Sequence, residues 1–259
     1  MTASEQPGQG GSRRNGRLAV LGVFLLLACA GFVALGIWQV ERRAWKLDLI
    51  ARVDARVHAA PVPVPDVQAW PRFDAAASEY RRVALRGHFL HDRETLVQAL
   101  SERGAGFWVL TPLVQPDGSI VLVNRGFVPP GLRDRAARAA GEPAGNVQLT
   151  GLLRLSEPAG GFLRRNDASA NRWYSRDVAA ISAARGLSSI GPVAPFFVDA
   201  GAQADAAPAQ PEGGLTVIRF RNSHLVYALT WFALALGAGA ALWWLLLDRR
   251  RQARRGRRG

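Results

Sequence analysis

The chain has 259 residues, a formal net charge of +13, one Cys and one Met. Cys29 alone excludes an intramolecular disulfide, and with Met confined to position 1 no thiolate or thioether remains between the apolar segments to hold copper or an iron–sulfur cluster. The basic balance raises nucleic acid as a partner, but basic residues flanking apolar spans set topology and meet anionic headgroups, so no nucleic-acid partner is expected.

Residues 1–17 are Gly-rich and polar, and a disordered terminus is expected there. Leu18–Val40 then supplies 23 apolar or uncharged residues. At about 1.5 Å per residue such a helix is roughly 34 Å long, more than the roughly 30 Å hydrocarbon core of a bilayer. Arg13, Arg14 and Arg17 precede it as in a signal peptide, yet a signal core is only about 7–15 residues and leads to a small-residue cleavage site, where Gly36-Ile37-Trp38-Gln39 stands here. The second run, Leu225–Leu247, is equally long, and with His224 at its doorstep it gives a second transmembrane helix over residues 224–247.

Net charges of +2 over residues 1–39, +5 in the middle and +6 over residues 224–259 orient the pair. By the positive-inside rule both termini, including the basic tail 248–259, are cytoplasmic, and residues 41–223 form a water-facing domain across the membrane. Arg42, Arg43 and Lys46 count against this, but long translocated domains override such charges.

Within that domain, Glu41–Val57 keeps helix formers and extends the first helix until Pro61, Pro63 and Pro65 impose an extended spacer. YRRVALRGHFL, ETLVQAL, GFWVLTPLVQ and SIVLVNRGFV have strand composition, the last two joined as a hairpin by Pro116-Asp117-Gly118. NVQLTGLLRL is another strand, Asp177 caps a short helix ending at Gly186, and APFFVDA and LTVIRF close the series on either side of a loop at Ala200–Gly214. The fold class expected is a membrane protein whose two transmembrane helices flank an α+β, mainly antiparallel β, extramembrane domain.

Taken together, GIWQVERRAWKLDLI leaving the first run, GHF on a strand, VLTPL, VNRGFVP, Asn171-Arg172-Trp173-Tyr174-Ser175-Arg176-Asp177, and NSHLVYALTWF entering the second run resemble the Surfeit locus protein family. The resemblance covers about residues 30–245 in the same order. It implies a non-catalytic cytochrome c oxidase assembly factor of the bacterial inner membrane with a periplasmic domain. It further implies work on oxidase subunit I when haem a is inserted, with haem a as transient cofactor and the haem a synthesis machinery and membrane lipid as partners.

His224 is the candidate ligand for haem iron, since imidazole binds haem and no sulfur ligand competes outside lipid. On a helix, Ala228, Trp231, Ala235, Ala238 and Leu242 fall within 40° of His224, a face of mostly small residues on which a flat macrocycle can lie with propionates toward Arg219 and Arg221. The plainer alternative makes His224, Asn222 and Tyr227 interfacial anchors or caps. The resemblance favours Trp38 and Gln39 beside the second run, although Trp at headgroup depth needs no further reason. Ala233, Gly237 and Ala241 form a small-residue stripe on the opposite side, where the first helix or an oxidase helix can pack.

His88 and His91 have metal-like spacing, but on a strand they point to opposite faces. Arg125 either clamps a carboxylate or makes a structural ion pair. No nucleophile, base and orienting acid form a motif, and GLGAGA lies inside an apolar run, so an enzyme is not expected. A scaffold that stabilises an oxidase intermediate without touching haem remains the alternative.

Overall fold

In a computed structural model of the protein, residues 9–158, 160–161, 164–203, 209–218, 220 and 222–255 are described. They form two compact units: the chain ends, through Ala51 and from Arg219, make one, and residues 52–218 make the other.

The first unit is built from two helices. Helix α1 (Gln9–His58) is unbroken, so residues 9–17, expected to be disordered, are helical, and no structural boundary falls at residue 40. An established helix extends by one hydrogen bond per added residue, and the polar leader simply continues the apolar run. The second helix (His224–Arg255) likewise carries the basic tail through residue 255. Both are long and apolar enough to cross a membrane.

Most of the half-buried or buried positions along the apolar stretch of α1, Leu18, Gly22, Leu25, Cys29, Phe32, Gly36, Gln39, Arg43 and Lys46, recur in alternating steps of four and three. That is the 3.5-residue repeat of two helices wound about each other. The second helix answers with His224, Ala228, Trp231, Ala235, Ala238, Leu242 and Leu245. The pair is antiparallel: Gln39 meets His224, Phe32 stacks on Trp231 at 5.7 Å, Cys29 Sγ reaches the Ala235 carbonyl at 3.5 Å, and Gly22 faces Leu242 and Leu245. Gly36 is required by size, because a Cβ there would lie 2.6 Å from the Phe232 ring.

The second unit is a β barrel. Strands β1 (Val62–Pro63), β2 (Arg82–Phe89), β3 (Thr95–Ser101), β4 (Gly104–Val114), β5 (Ile120–Val128), β6 (Asn146–Leu155) and β7 (Val193–Ala200) are joined in the order β1-β2-β6-β7-β5-β4-β3. The pairing of His88 and Phe89 with Val114 and Leu113 links β2 back to β4 and closes the ring. The expectation of a mainly antiparallel sheet is corrected in this respect: the barrel is closed, and β5 runs parallel to β7. Strand β5 shows why. Ile120–Val123 is apolar and buried at every position, and only a strand covered on both faces can use so continuous an apolar run. One face of the sheet carries Val83, Leu85, Val121, Val123, Phe196 and Val198. The other packs Leu110, Leu122 and Phe197 against Trp173 and the short helix Val178–Ala184.

That helix is capped as expected, with Asp177 accepting from the Ala180 N–H, and Gly186 follows in the left-handed conformation. The proline spacer is extended, and Val62–Pro63 adds a parallel edge to β2. Asn124-Arg125-Gly126 lies within β5, and Gly126, at φ 136°, lies where a side chain would strike the backbone of Glu212. One assignment changes. The first four residues of LTVIRF, Leu215–Ile218, are not a strand. Thr216 instead gives its hydroxyl to Asp199, and the preceding Gly213 and Gly214 lie on the backbone of residues 200–202.

Candidate functional site

Helix pairing places His224 opposite Gln39, and its Nδ1 lies 2.8 Å from the Gln39 amide oxygen. An amide oxygen only accepts, so Nδ1 is the donor in this contact and Nε2 takes no part in it. This is the arrangement in which a ligating imidazole is held: one nitrogen tied to a carbonyl, the other available. Sequence reasoning named both residues, but not their contact.

The rest of the expected seat is arranged differently. Ala228 and Ala235 are buried at 2% and 6% exposure on the line where the helices meet, and Trp231 stacks on Phe32. In the structure α1 packs on that face, so Ala228, Trp231 and Ala235 meet the first helix there. The first helix therefore does not use the opposite stripe, where Ala233 and Ala241 are exposed and a Cβ at Gly237 would meet nothing within 4 Å. Trp38 is half exposed and takes no part in the Gln39–His224 contact. Arg219 and Arg221 lie outside the described residues. Asn222 does not act as a side-chain cap: its Oδ1 is buried without a hydrogen-bond partner among the described residues. Tyr227 is exposed.

The barrel holds a polar cluster that sequence reasoning missed. Asp199, at 3% exposure, accepts from Asn124 Nδ2 (2.7 Å), Thr216 Oγ1 (3.0 Å), Arg176 (3.2 Å) and Arg154 (3.3 Å). Parallel pairing of β5 with β7 puts Asn124 and Asp199 side by side. Arg176 also holds Glu157 through two contacts, and its guanidinium lies 4.8 Å over the Phe197 ring. Burial alone pushes the Glu157 carboxyl up, but the Arg176 hydrogen bonds and charge outweigh it and hold its pKa below the ordinary carboxylate range. A cleft of about 210 Å³ opens beside the cluster, with Trp108 and residues 213–217 on its walls. The available signal was Asp199 itself, a lone charge in the apolar strand APFFVDA, which implies a buried partner.

The NRWYSRD segment is likewise structural. Asn171 adopts a left-handed conformation (φ 49°), and its Oδ1 accepts from Trp173 Nε1 at 2.9 Å and Arg185 at 2.7 Å, which fixes the buried indole. His88 is exposed on β2, whereas His91 lies beyond the strand in a short turn, so the two do not share a site. No group of three metal-binding side chains occurs among the described residues.

The SURF1 family model matches residues 26–236, a stretch that includes Gln39, the whole barrel and His224. The chain belongs to the SURF1 family. Surfeit locus protein 1 of Mus musculus is 38% identical over 243 residues, 88% of this chain and 76% of the relative. Its Homo sapiens counterpart is 38% identical over 238 residues, 85% and 75% of the two chains. A SURF1-like protein of Drosophila melanogaster is 35% identical over 252 residues, 90% and 80%. With the family match reaching from α1 across the barrel into the second helix, the likeness to SURF1 proteins covers both units.

Proposed function

We propose that this SURF1 protein is a membrane-anchored, non-catalytic assembly factor of cytochrome c oxidase, in which His224 serves as a transient axial ligand for haem a bound for subunit I. The family is known generally for cytochrome oxidase assembly factors, which supports the wider reading. The single observation that carries the finer one is the Gln39–His224 hydrogen bond, which orients the imidazole through Nδ1 and leaves Nε2 outside that contact.

The residues fit this cargo in part. An oriented imidazole suits haem iron, and Asn222 Oδ1 two residues away, which has no hydrogen-bond partner among the described residues, adds an acceptor. The packed face over Ala228 and Ala235 does not suit a porphyrin plane, so His224 would approach the iron from the end of the helix pair. In this reading both helices cross the inner membrane, both termini are cytoplasmic and the barrel is periplasmic, as the charge distribution favours.

The same closed packing favours the rival, a scaffold that steadies an oxidase intermediate and never touches haem. Expression in a strain lacking its own SURF1 protein separates the two. His224→Ala is expected to leave apo-subunit I associated with the protein while lowering the haem a content of the oxidase. Unchanged haem a in the oxidase would reject the ligand role and leave the scaffold.

A further inference from the structure

Arg125 is a surplus cation inside the barrel unit. Its guanidinium carbon lies 5.3 Å over the Phe89 ring, and one Nη1–H reaches His91 Nδ1 at 3.4 Å. His91 Nε2 in turn lies 3.3 Å from the Pro143 carbonyl, and an imidazole carries no negative charge in either of its forms. The imidazole therefore leaves the cation uncompensated.

Both nearby carboxylates are engaged by other arginines. Glu94 takes two bonds from buried Arg138 (2.6 and 3.3 Å), and Glu142 takes two from Arg135 (2.7 and 2.8 Å). Glu142 also lies 3.9 Å from His91 Nδ1, beyond hydrogen-bond reach. Three guanidiniums thus face two carboxylates, and no carboxylate among the described residues pairs directly with Arg125. Burial pulls the Arg125 pKa down, and the more distant Glu94 and Glu142 offset this only in part. A guanidinium withdrawn from water without a paired acid costs free energy unless something else meets it.

What Arg125 faces is a cavity of about 260 Å³, with apolar walls from Phe89, Val147 and Leu149 and with Gln203 on its lining. We infer that this cavity binds a carboxylate carried on a short aliphatic chain, its two oxygens on the Arg125 fork and its methylenes against Phe89, Val147 and Leu149. A local surplus of one positive charge matches a monoanion, whereas a phosphate dianion would remain half neutralised. The volume suits a few carbons rather than a large cofactor. Such a carboxylate comes either from a free aliphatic acid or from a glutamate side chain of a bound polypeptide. The site does not depend on the haem reading.

The test uses the full chain in a non-ionic, carboxylate-free detergent, with binding followed by saturation-transfer NMR and calorimetry. The probes are hexanoate, its neutral analogue hexanamide, and acetyl-Ala-Glu-Ala-amide. Hexanoate or the peptide is expected to bind at least about tenfold tighter than hexanamide, the tighter of the two naming the source. Arg125→Gln is expected to abolish that preference. Gln203→Glu, at an exposed loop position on the cavity lining, supplies a competing carboxylate without disturbing the core and should weaken both probes. If hexanoate and the peptide bind no better than hexanamide, or if both survive Gln203→Glu unchanged, the site does not exist as described.

Discussion

Replacing Asp199 with alanine removes the one acid that Arg154, Arg176, Asn124 and Thr216 all share. Breaking a buried ion pair from one side costs about 3–5 kcal/mol, because the other charge stays buried and unpaired. Arg176 keeps Glu157, and Arg154 keeps Glu79 at 3.7 Å, so the low end applies, about 3 kcal/mol. For a unit of this size each kcal/mol moves Tm by about 2–4 °C, which gives a fall of about 6–12 °C. Near-ultraviolet circular dichroism reads it directly, since Trp173 is fully buried in the barrel unit. A loss below about 0.5 kcal/mol, the worth of an exposed pair, would refute the buried network as a stabilising unit.

Glu157 makes barrel stability depend on acid. A carboxyl whose native pKa is depressed adds stability that is present above its unfolded pKa and lost as pH falls through the native value. Tm should therefore drop as pH falls through and below the ordinary glutamate range, and Glu157→Gln should flatten part of that descent; an equally steep descent would contradict the Arg176 pairing. The helix register is tested by Gly239→Cys, whose Cβ position lies 3.9 Å from Cys29 Sγ. Mild oxidation should join the two, holding the fragments together after proteolysis of the intervening chain until a reductant is added, whereas Gly237→Cys, on the open side, should not link. Gln39→Leu leaves His224 in place but frees its imidazole, and haem retention should fall about 10–100-fold; retention at the parent level would remove Gln39 from the site.

Local order was legible in the sequence and long-range order was not. Alternation in Val83, Leu85, Gly87 and Phe89, the Pro116-Asp117-Gly118 turn and the Asp177 cap each state a conformation within a few residues, and each is present. Closure of the barrel depends on His88 and Phe89 finding Val114 and Leu113, a choice no local pattern states. The packed face of the helices was hidden for a different reason. When nearly every residue of a run is apolar, hydrophobic periodicity vanishes, and only residue size, as at Gly36, Ala228 and Ala235, marks where the helices meet. Two small-residue stripes were therefore available on the second helix, and the one under His224 is used. Asp199, Arg154 and Arg176 lie on separate segments, so their cluster exists only once β5, β6 and β7 are neighbours.

The most direct test of the haem proposal is a visible absorption spectrum of the intact protein purified from cells that make haem a, beside the same preparation of His224→Ala. The parent should carry a haem a spectrum that reports a nitrogen axial ligand, and the variant should lose it while its barrel melts at the parent temperature. A parent without bound haem, or a variant whose spectrum and haem content equal the parent's, would contradict the account.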